Sequence, residues 1–189
     1  MAAHRIDIDP DGDTLIILPT VQVTAEKSSD AARREMNGTD APESTAIIEE
    51  IFYFKVSMKH LTMASPRAKM EFEPIFDPYT FEIVLAMIHA KTEKLPTDIS
   101  IAMLSNIAVV ADDLNCSSAV QSFATQWIDR MTLLEPHTID IRLAQLLLIS
   151  SVFKSDNLFI KATYKAVLLS PDEMPSFGLP IWPAVLRER

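Results

Sequence analysis

Apolar and polar residues alternate at the start of the chain. Ile6 and Ile8 stand between Arg5, Asp7 and Asp9, and a period of two predicts a half-buried strand. Asp9-Pro10-Asp11-Gly12-Asp13 is a dense run of turn formers, followed by the β-branched stretch Thr14-Leu15-Ile16-Ile17-Leu18, which stops at Pro19. Strand, turn and strand together predict a hairpin. Large apolar residues are almost missing from 24–45, where Lys, Ser, Asp, Arg, Glu, Asn, Gly and Pro dominate. Such a stretch buries too little surface to offset its ordering entropy, so a long disordered loop insertion is expected there, with order resuming at Ile47. Ile51-Phe52-Tyr53-Phe54-Lys55-Val56 predicts a further strand.

The period then changes to that of helices. Ser57 is placed to cap a short helix through Met58 and Leu61, and Ser65-Pro66 to open a second one. Two prolines within 71–78 predict an irregular connection. Phe81, Val84, Leu85 and Ile88 recur at i, i+3, i+4 and i+7. Leu104, Ile107, Ala108 and Ala111 do the same after a cap at Asp98 or Ser100. Val120, Phe123, Ala124, Trp127, Ile128 and Met131 form the clearest stripe, after a cap at Ser117 or Ser118. Thr138 is the expected cap for a helix carrying Leu143, Leu146, Leu147 and Ile149. Asp156 is the expected cap for one carrying Phe159, Ala162 and Ala166. Prolines at 171, 175 and 180 break the tail, and a last short turn is expected at Pro183. Strands first and helices after, without regular alternation, predict an α+β fold.

Composition narrows the chemistry. The chain has 189 residues and 3 glycines, where average usage would supply about 13. No two are neighbours, so a phosphate-cradling loop or dinucleotide fingerprint is excluded. The net charge of −9 repels phosphate backbones, so no direct nucleic-acid partner is expected. A single cysteine, Cys116, forbids an intrachain disulfide and fits a reducing compartment, cytoplasm or nucleus. The greasiest stretch, 143–153, falls far short of the ~20 residues that span a bilayer, so no membrane partner is expected.

Candidate catalytic groups are scattered. His4, His60, His89 and His137 lack metal-ligand spacing, and His60 and His89 read as hydrogen-bonded histidines inside the fold. Cys116 follows Asp112 and Asp113, and neighbouring acids raise rather than lower a thiol pKa. Asp11 and Asp13 lack the later ligands of a calcium loop. No catalytic residue, metal site or cofactor is expected.

The order of these motifs resembles the BTB/POZ domain, in particular the standalone fungal BTB/POZ proteins. Four stretches carry the likeness: the opening run 8–18; the passage Phe54-Lys55-Val56-Ser57-Met58-Lys59-His60-Leu61-Thr62-Met63-Ala64-Ser65-Pro66; Ile88-His89-Ala90-Lys91-Thr92 with Leu95-Pro96 and the helix through Cys116; and Leu179-Pro180-Ile181. The resemblance implies a small mixed sheet covered by a helix cluster over 1–132, with extra C-terminal helices in 133–189. It implies a non-enzymatic protein-interaction module, a scaffold or adaptor that homodimerises through its first strand and first short helix. The implied dimer face holds Ile6, Ile8, Met58, Leu61 and Thr62, with Asp13 and Lys59 as a charged pair beside it.

The sequence departs from the family after Ser65-Pro66, where Ala68 replaces a large aromatic; Phe72 is the candidate to refill that space. Met70-Glu71-Phe72-Glu73 does not reproduce the family's hydrophobic-x-Glu motif at its spacing, which counts against a cullin partner. The alternatives are a small α-helical hydrolase and a degenerate BTB domain that stays monomeric.

Overall fold

A computed structural model describes residues 2–25, 45–67, 71–72, 74–130, 138–169 and 174–183. The fold is α+β, with a small mixed sheet and a set of helices. Strands β1 (Ala2–Asp7), β2 (Thr14–Ala25) and β3 (Thr45–Val56) lie in the order β1-β3-β2. The opening segment is therefore not a hairpin. β1 and β2 flank β3, with β1 parallel to it and β2 antiparallel. The centre of the sheet goes to the aromatic and β-branched run of β3, whose Phe54 and Val56 are fully buried. Local turn signals could not report this, because the strand that separates β1 from β2 comes some forty residues later.

Pro19 does not end β2. The strand runs on to Ala25, with Pro19 opposite Ile51. β2 is hydrogen-bonded to a strand on one side only, and a proline without an N–H is tolerated at such an edge. On its other side Phe72 N donates to Ile17 O at 3.0 Å. Phe72 is buried and its ring meets Phe76 and Phe81. The expected helix opening at Ser65-Pro66 begins as a turn at 66–67; positions 68–70, including Met70, lie outside the described residues, as do 26–44 of the expected loop.

Helix α1 (Met58–Ala64) follows β3 directly, and α2 (Pro78–Ile88) packs across it, with Phe81 5.4 Å from the Phe54 ring. α2 is buried on more than the predicted stripe, since Ile83 and Met87 are covered too. A helix apolar nearly all round belongs in the middle of a core, and α2 contacts β3, α1, α3 and α4. After a 3-10 turn at Thr92–Lys94 come α3 (Ile101–Asp113), α4 (Ser117–Arg130), α5 (Ile141–Val152) and α6 (Asp156–Leu169). Ser100 caps α3 by accepting from Met103 N. α5 is capped by Asp140 rather than Thr138, its carboxylate accepting from Leu143 N. Met131 and His137 lie outside the described residues, as does the tail beyond Pro183. One continuous apolar core runs from Ile8 to Ile181 and includes the inner faces of α3, α4 and α5.

The scarcity of glycine shows at the helix ends. Ala90, Asn115 and Lys154 adopt left-handed backbone just past α2, α3 and α5. There Lys91 N donates to Ala86 O, Cys116 N to Ala111 O and Ser155 N to Ser150 O. These helix stops normally use glycine, so the chain bears a Cβ penalty at each.

Candidate interaction face

The turn between β1 and β2 is fastened to its surroundings by charge and by close approach. Lys55 Nζ donates to Pro10 O, Lys94 Nζ to Asp7 O at 2.6 Å, and Lys91 pairs with Asp9 at 3.9 Å. Gly12 lies against β3; a Cβ there would stand 2.5 Å from Val56 O and 2.9 Å from Asp9 O. Only a residue without a side chain lets the turn lie so close.

This docking delivers Asp13 to the start of α1. Ser57 is the N-cap but its hydroxyl makes no capping bond. Asp13 Oδ1 instead accepts from Met58 N at 2.8 Å, across 45 residues of sequence. That bond, with one from Thr14, holds the Asp13 carboxyl below its ordinary pKa. His89 performs the second half of the cap. Its Nε2 accepts from Ser57 N at 3.0 Å and its Nδ1 donates to Leu85 O at 2.8 Å. The two bonds require the neutral ring with the proton on Nδ1. Burial pushes the His89 pKa down. His60, exposed on α1, meets the His89 ring edge-on at 5.3 Å.

The residues expected to form the dimer face separate into two groups. Ile8 and Leu61 are core residues, at 0% and 1% exposure. Ile8 turns inward because its N–H donates to Lys55 O at the end of β3; Leu61 occupies the one face by which the two-turn α1 holds the fold. Neither can contribute surface to a partner. Ile6 and Met58 are half-buried, and Thr62 is exposed, its hydroxyl turned back onto Met58 O. The large apolar side chain that α1 does present is Met63, 77% exposed. Asp13 and Lys59 form no ion pair; the carboxylate is engaged with the backbone N–H one residue before Lys59. A backbone donor at a helix start competes well with an exposed, mobile ammonium.

His89 and Cys116 are occupied or blunted. Both His89 nitrogens are taken. Cys116 is buried and its thiol is pushed up to about 12 by desolvation, far from a thiolate at neutral pH. Among the described residues no three His, Cys, Asp or Glu side chains gather in a metal-holding group, and no helix is long and apolar enough to cross a membrane. A cleft of about 380 Å³ between the 92–97 segment and α4 is lined by Phe123, Trp127 and Arg130. Its polar atoms hold the segment in place, Trp127 Nε1 donating to Pro96 O and Arg130 to Thr97 O, both at 3.1 Å.

No family model, curated protein or solved structure matches this chain.

A second surface feature lies on α6. Its inward stripe, Leu158 and Ala162 with the half-buried Phe159 and Ala166, secures it to α5. On the opposite side Ile160, Tyr164, Val167 and Leu168 are all exposed. They recur at i, i+4, i+7 and i+8, so they share one face. The sequence contains that spacing beside the one of Phe159, Ala162 and Ala166, and periodicity alone does not tell which of two apolar faces is buried.

Proposed function

We propose that this chain is a non-enzymatic protein-interaction module of BTB/POZ type, a scaffold or adaptor of the cytoplasm or nucleus that pairs with a second copy of itself through β1 and α1. The observation that carries the reading is the outer edge of β1, which has no strand beside it among the described residues. An open edge offers backbone donors and acceptors to another chain. β1 runs parallel to β3, so Asp7 ends beside Lys55 and α1 starts at the same end of the sheet. The accessible part of the expected face is then Ile6, Met58 and Thr62, with Met63 in place of the buried Ile8 and Leu61. Pairing across a two-fold axis would bring the same patch of each copy together.

Light scattering on a size-exclusion column tests this. The wild-type chain is expected above the 21.1 kDa of one copy, and Met63→Glu is expected to lower that mass while leaving the circular dichroism unchanged. Leu61→Asp is unsuitable, since a charge at a fully buried site unfolds the monomer. Wild type at 21.1 kDa throughout the micromolar range would rule the pairing out.

A further inference from the structure

We propose that the outer face of α6 is a second self-association surface, seating α6 of another copy of this chain. The face carries Ile160, Tyr164, Val167 and Leu168, exposed by 67%, 65%, 52% and 63%. Each leaves on the order of 100 Å² of mostly apolar surface in water, so the stripe presents on the order of 400–500 Å². A patch of that size lies at the upper end of what monomers leave uncovered. Two such stripes with their immediate flanks bury about 1,000 Å² in total, the lower bound for a specific interface. That area fits reversible, micromolar pairing better than a permanent dimer.

The whole chain carries −9, so copies repel one another. α6 itself bears Lys161 and Lys165 with Asp156, so the acidic excess that drives this repulsion lies outside the helix. Lys161 flanks the apolar stripe, and its methylene stem can extend the covered area while its ammonium stays in water.

α6 is also free to serve in this way. Its hold on the fold comes from the opposite side, through Leu158 and Ala162 against α5. Substitutions on the outer stripe therefore perturb association and not the core. This face is separate from the β1–α1 face and does not depend on it.

The experiment is light scattering from low to high micromolar concentration on four chains: wild type, Met63→Glu, Tyr164→Glu and the double variant. In the Met63→Glu background the mass is expected to rise with concentration from 21.1 kDa toward twice that value. Adding Tyr164→Glu is expected to weaken this association about tenfold or more, because a central tyrosine carries a large share of such interfaces. Ile160→Gln serves as a milder second variant with the same expected direction, and unchanged circular dichroism confirms that each chain is folded. A Met63→Glu chain that stays at 21.1 kDa overturns the α6 proposal, as does a rise that Tyr164→Glu and Ile160→Gln both leave intact. If Met63→Glu matches wild type while Tyr164→Glu abolishes association, the β1–α1 reading fails and the α6 surface stands.

Discussion

Replacing His89 by phenylalanine tests whether α1 is held by a histidine. The ring is buried, so Phe fills the space with little change in volume. Leu85 O keeps a partner, since it also accepts from His89 N at 3.0 Å. Ser57 N–H loses its acceptor, and a part-buried donor left without one costs about 1–3 kcal/mol. His89→Phe is therefore expected to lower the urea-unfolding free energy by that amount at pH 7.5.

The deficit should depend on pH. Burial holds the folded pKa of His89 below the ordinary 6.5, so the unfolded chain binds more protons as the solution is acidified. The stability due to the neutral ring is complete above about pH 6.5 and is lost as pH falls toward the folded pKa. One proton changes stability by at most roughly 1.4 kcal/mol per pH unit. His60 and Asp9, which also act on the ring electrostatically, are present in both proteins. The difference between wild type and variant should thus be largest at pH 7.5 and shrink toward pH 5. A variant as stable as wild type at pH 7.5, or a gap that widens on acidification, would contradict the proposed capping role.

Gly12→Ala is expected to destabilise the fold by about 1–3 kcal/mol, because the new Cβ overlaps Val56 O and Asp9 O; thermal unfolding reads the loss, and an unchanged midpoint would show that the turn yields freely. Lys154→Gly is expected to stabilise by up to about 1 kcal/mol, since it removes a Cβ from a left-handed, exposed position; a lower urea midpoint would show that the side chain contributes more than the strain removes.

Much of this architecture is written in local sequence. The period of two around Ile6 and the aromatic run 51–56 mark strands, and the stripes from Phe81 to Ile149 mark helices, because burial on one face imposes a period wherever it occurs. Ser100 sits at a helix start, where a short polar side chain satisfies an otherwise orphaned N–H. The missing glycine cluster excludes nucleotide loops on chemistry alone.

Three features depended on the tertiary fold. The insertion of β3 between β1 and β2 is a non-local pairing, and no turn signal encodes which later strand will compete for an edge. The cap of α1 comes from Asp13 and His89, 45 and 32 residues away in sequence from their partners, so Ser57 looked sufficient when it was not. Which apolar residues are surface was also decided in three dimensions. Leu61 and Met63 stand two positions apart on one short helix, yet the first is 1% exposed and the second 77%. On α6 the residues that fit the helical template and those that face water are both apolar. Hydrophobicity is a property of each side chain, while burial depends on what the rest of the chain places against it, and that second quantity decides which surface is open to a partner.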